Sequence, residues 1–142
     1  MRSNLVRGIA LLAGLGAGDL AWAQQHGAAV LNITKPNMVL QQVVEGLPTD
    51  DKLTVRVMTA TFKPGDKTVY HTHRFPVTVY VLEGAFTLEL DGRPPLTVKA
   101  GEAMVEPPKV PMTGYNRSDT ETKVVIFYVS TNDTPFLDMM SH

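Results

Sequence analysis

Between residues 53 and 130 the chain is cut into short runs of β-branched and aromatic residues, each closed by a turn signal. LTVRVMTATF, residues 53–62, alternates: Leu53, Val55 and Val57 share one face, Thr54 and Arg56 the other, a period of two that marks a half-buried strand. KPGD, residues 63–66, is a turn. Residues 69–73 read as short and extended, RFP interrupts them, and residues 77–82 (VTVYVL) read as a strand. Residues 86–90 and 96–99 flank DGRPP as a hairpin with an Asp-Gly turn. A turn at Ala100–Gly101, a short strand, a proline-rich loop, a brief strand at residues 112–116 and a strong one at residues 123–130 complete the run. Strands spaced by about 8–12 residues specify an all-β sandwich or barrel in a single domain. Residues 38–45 fit one helical turn or a strand equally well.

The start of the chain has a different character. Arg2 and Arg7 precede an apolar stretch at residues 8–18 (GIALLAGLGAG), and Ala21-Trp22-Ala23 has the small-x-small form of a signal-peptidase site. The stretch is too short for a membrane-spanning helix, which needs about 20 residues. Residues 1–23 are therefore expected to be a secretory signal peptide, and the mature chain to be periplasmic or secreted with no membrane attachment. Residues 24–48 would form an N-terminal arm and edge segment, 49–130 the barrel, and 131–142 a C-terminal tail. The full chain carries a formal charge of −1, so no basic surplus favours nucleic acid. With no cysteine, thiolate metal sites, iron–sulfur clusters and cysteine nucleophiles are excluded.

His71 and His73 head the apolar run HTHRFPVTVYVLEG. Residues i and i+2 of a strand share a face, so the two imidazoles project together and can bind one metal ion. Taken alone, His-x-His is equally a surface pair or a packed pair. Its flanks add to it: GDKTVYHTH (residues 65–73), VYVLEG (79–84) and GEAMVEPPKVPMTGYN (101–116). These stretches resemble the two conserved motifs of the cupin superfamily, over about residues 53–129. The resemblance implies a jelly-roll β-barrel of cupin type and a metal site of two histidines and a glutamate from the first motif with a third histidine from the second. His71 and His73 match. The glutamate position falls on Val77 and the third-histidine position on Met112. A His71–His73–Met112 set without a carboxylate is soft and uncharged, which suits Cu(I); copper is thus the first metal expected, with iron, zinc, manganese or nickel as alternatives. Met112 as an adaptable core residue is the competing interpretation.

Other residues bear on the same question. A free Gln24-Gln25-His26 terminus has the nitrogen set that Cu(II) or Ni(II) favours in square-planar geometry, against a frayed tail. Met139, Met140 and His142 are a second soft cluster. Glu83 reads as a solvated turn residue. Glu106, before Pro107-Pro108, serves as an acid or base only if it points into the barrel. Tyr80 and Tyr115 should face away from the metal, Asn116 should tie a loop by hydrogen bonds, and Phe75, Val77, Val79 and Val81 should line the interior. Three functions are compatible with these residues: metal binding, a cupin enzyme (dioxygenase-like or isomerase) acting on a small organic molecule, and a metal-free small-molecule-binding barrel. Exposed edge strands, with the resemblance, point to a homodimer.

Overall fold

The computed structural model describes residues 34–141. The chain divides into two compact units, Met1–Lys35 and Pro36–His142. The first falls almost wholly outside the described residues; the strands and the histidine pair belong to the second. The expected cleavage at Ala23, the Gln24-Gln25-His26 terminus and His142 also lie outside the described residues.

Among the described residues there is no helix. The described residues form nine strands: β1 (Leu53–Phe62), β2 (His71–Thr72), β3 (Val77–Glu83), β4 (Ala85–Leu90), β5 (Leu96–Lys99), β6 (Ala103–Glu106), β7 (Met112–Tyr115), β8 (Thr122–Thr131) and β9 (Asp138–Met139). They form two antiparallel sheets, β1-β8-β3-β6 and β5-β4-β7-β2-β9. This is the jelly-roll arrangement that the resemblance implies. Residues 38–45 form neither of the two alternatives; they run without helix or strand pairing.

The inner faces make one core of Val77, Val79, Val81, Phe86, Leu88, Val98, Met104, Met112, Val124 and Tyr128. Val77, Val79 and Val81 line the interior as their alternation implies, and Phe75 packs against its margin. In β1 the period of two holds, yet the more buried face carries Thr54, Arg56, Met58, Ala60 and Phe62. Val55 and Val57 point outward, 68% and 60% exposed. Register explains the choice: Arg56 stands opposite Tyr128 and Met58 opposite Ile126 on β8, and Tyr128 is fully buried.

One close contact lies within the second sheet, between β4 and β7, and another joins the two sheets. A Cβ on Gly114 would stand 2.3 Å from the Phe86 ring, so only a glycine lets that ring cross β7. The Thr122 hydroxyl, fully buried, donates to the Ala85 carbonyl at 3.0 Å and accepts from the Ala85 amide at 3.2 Å. Asn116, also fully buried, donates to the Phe62 and Thr120 carbonyls and accepts from Ser118, which makes it the loop tie expected of it.

Candidate metal centre

His71 lies in β2 and His73 just past its end; both side chains are buried. The strand that carries them is held on both sides, by β7 through His71–Met112 and by β9 through His71–Met139 and Thr72–Asp138. Each ring is fixed by a backbone carbonyl. Nδ1 of His71 donates to the Val69 carbonyl, and Nδ1 of His73 to the Phe136 carbonyl, both at 2.7 Å. A carbonyl can only accept, so the proton of each neutral ring sits on Nδ1 and Nε2 presents a lone pair.

Those two Nε2 atoms are 3.1 Å apart. Nε2 of His73 is also 3.1 Å from Oε2 of Glu106. With both rings neutral, His71 Nε2 and Glu106 Oε2 each face His73 Nε2 with no hydrogen between them. One proton on His73 Nε2, donated to Glu106, or a metal ion among the three atoms relieves that repulsion. Two imidazole nitrogens on one ion at about 2.0–2.1 Å would stand roughly 3.0–3.4 Å apart, and the observed separation fits. Burial pushes the His71 pKa below its ordinary value, partly countered by the Val69 carbonyl, and a neutral ring is the form a metal needs. Among the described residues no group of three or more His, Cys, Asp or Glu is placed to hold a metal ion; the donors present are an imidazole pair, with a carboxylate against one member.

Glu106 is the residue that the sequence motif did not assign as a ligand. It ends β6, where the run AMVE buries Met104 and Glu106 on one face. Its strand partner is Val77, the position at which the resemblance calls for glutamate. A carboxylate thus stands one strand over, on the same rung. The only hint in the sequence was a carboxylate in phase with Met104 just before two prolines.

Met112 stands opposite His71 in register and is fully buried, as a member of the core. It does not line the cavity at the histidines. That cavity is about 50 Å³ and is walled by Phe62, Val79, Phe86, Ile126, Phe136 and Leu137 beside His71, His73 and Glu106. Phe136 closes it: its ring lies 4.9 Å from the His73 ring and 5.6 Å from that of Tyr128. The strap that carries Phe136 is tied down by Arg74, which holds Asp138 through two bonds of 2.9 Å, and by the Met140 amide on the Tyr70 carbonyl. Burial pushes the Tyr128 pKa up, partly countered by the backbone of Phe75 and by the Arg56 charge. Met139 is 76% exposed, at the surface rather than in the site. Glu83 is exposed and pairs with Lys123, while Tyr80 lies on the outward-facing rungs of β3.

The cupin domain family model matches residues 58–128, half of the chain. Among solved structures, a cupin-like protein of Thermotoga maritima is 25% identical with a TM-score of 0.51, over 61% of this chain and 64% of that one. A cupin domain of Bordetella pertussis is 27% identical over 58% of this chain and 88% of that one, TM-score 0.48. A structure of DMSP lyases is similar in fold at 17% identity and a TM-score of 0.53, over 61% of this chain and 44% of that one. The aligned part is under two thirds of the Thermotoga protein and of the lyase. No curated protein matches the chain.

Proposed function

The chain belongs to the cupin family, and we propose that it is a metal-binding member that holds one divalent transition-metal ion on Nε2 of His71 and Nε2 of His73, with the Glu106 carboxylate beside His73 turning in as a third donor when the ion binds. The observation that carries this is the approach of the two buried Nε2 atoms to 3.1 Å, with both Nδ1 atoms held on carbonyls and the Glu106 carboxylate 3.1 Å from His73. Two neutral imidazoles and one carboxylate suit zinc, iron, manganese, nickel or copper in the divalent state. When bound, such an ion supplies Lewis acidity or redox chemistry. The chain's own residues orient the two rings, turn their Nε2 atoms toward each other and wall the site with apolar side chains. The 50 Å³ cavity accommodates ligands the size of a few waters. A role in holding metal therefore fits so small a site better than turnover of a larger organic molecule.

A second interpretation has one observation in its favour. Met112 occupies the rung beside His71, and a thioether joining the imidazole pair would give a soft site for Cu(I). Metal analysis of the purified full-length product separates the two. A divalent ion lost in Glu106→Gln and kept in Met112→Leu supports the carboxylate site; copper lost in Met112→Leu and kept in Glu106→Gln supports the thioether site; no metal in any preparation leaves a metal-free binding barrel.

Export to the periplasm or medium is proposed on the leader pattern of residues 1–23. A mass matching a chain that starts at Gln24 tests it. Pairing of two copies is proposed on β1, an edge strand with nothing on its outer side among the described residues. Its outward Val55 and Val57 adjoin Val129 and Phe127 of β8, an apolar strip beside free backbone groups.

A further inference from the structure

A cavity of about 850 Å³, far larger than the one at the histidines, opens where residues 42–47 pass the free edge of β6. One wall is apolar, built from Phe75, Pro76, Val105, Pro107, Pro108 and Val110. The charges on its rim are unbalanced: Arg74, Arg93 and Lys109 face it, with Glu45 as the sole acid. Arg74 is already neutralised by Asp138. Among the described residues, Arg93 and Lys109 make no ion pair. They form a local surplus of positive charge on a chain of net negative charge.

The backbone presents Lys109 in a defined way. Its φ is +62°, the left-handed region that side-chain-bearing residues rarely adopt. The amide of Lys109 donates to the His73 carbonyl at 2.7 Å, which fixes that conformation. Strain of this kind persists where surrounding structure imposes it and gathers at binding sites. Pro107 and Pro108 stiffen the approach to it.

We propose that this cleft is a second binding site, separate from the histidine pair, for a small organic anion: a carboxylate on an apolar body. The guanidinium of Arg93 and the ammonium of Lys109 receive the carboxylate, and the proline and phenylalanine wall receives the apolar part. The volume is in the range of small-molecule sites, about 300–1,000 Å³. A carboxylate shared by two cations gains charge-assisted bonds that a neutral analogue lacks.

The test is an amide NMR titration of the full mature protein with hydrocinnamate, with hydrocinnamamide as the uncharged control, each with and without a metal chelator. The expected result is saturable shifts at Gly46, Phe75, Val105 and Lys109 with the carboxylate, unchanged by chelator, and at least tenfold weaker binding in Arg93→Gln/Lys109→Gln. Equal binding of the amide, shifts that vanish with chelator, or no shift up to about 20 mM, well above a millimolar Kd, would overturn it. The chelator arm keeps this result distinct from any result at His71 and His73.

Discussion

Nε2 of His73 lies 3.1 Å from Oε2 of Glu106 and 3.1 Å from Nε2 of His71, while Nδ1 of the same ring is committed to the Phe136 carbonyl. One imidazole thus links the first motif, the β6 carboxylate and the C-terminal strap. The consequences can be measured separately.

Glu106→Gln keeps the size of the side chain and removes its charge. Affinity for a divalent ion should fall at least tenfold, about 1.4 kcal/mol, with little loss of stability in the metal-free protein. His71→Ala should abolish tight binding. Titration calorimetry of apoprotein with Zn(II) and Fe(II) reads both; equal affinity in wild type and Glu106→Gln would remove the carboxylate from the site.

The strap should control access. Phe136→Ala removes the ring that covers His73 and should cost about 1–3 kcal/mol, less than for a fully buried phenylalanine. It should also speed metal release to a chelator while leaving the ligands in place. Release at the wild-type rate would show that the ring does not gate the site.

Strap closure should depend on acid. The Arg74 guanidinium beside Asp138 holds its carboxyl below the usual range. A depressed carboxyl contributes stability that is present above its unfolded pKa, about 3.9, and is lost as the pH falls through the lower folded value. The protection factor of the Met140 amide, bonded to the Tyr70 carbonyl, should fall in that acidic window in wild type. In Asp138→Asn it should be low on both sides of that window.

Gly114→Ala forces a methyl to within 2.3 Å of the Phe86 ring. That ring is buried between the sheets, so the overpacking should cost about 1–3 kcal/mol. Thermal or urea unfolding measures it, and an unchanged midpoint would mean that the ring moves freely.

Val57→Glu places a charge in the middle of the outward apolar strip of β1. A two-copy assembly built on that strip should dissociate, read as a halved mass by light scattering. A wild-type protein that is already monomeric would end the proposal of pairing.

The strand succession from β1 to β8, the paired histidines and the loop-tying Asn116 could be read from the order of residues; β9, within residues 131–142 read as a tail, could not. Each depends on local rules: the period of two, the same-face relation of i and i+2, and turn chemistry. Which face of β1 goes inward could not be read. Both faces of LTVRVMTATF are plausible interiors, and the choice came from Arg56 and Met58 meeting Tyr128 and Ile126 on β8. Glu106 was missed beside the histidines for the same reason, since its pairing with Val77 joins residues distant in sequence.

Local patterning was enough to specify an all-β barrel with two imidazoles aimed together, because periodicity and turn chemistry act over a few residues. Long-range pairing was needed to bring a carboxylate to them, to set the C-terminal strap against one ring and over the cavity, and to open a cationic cleft beside β6. These features arise from strand register and backbone carbonyls, and neither is written in any local run of side chains.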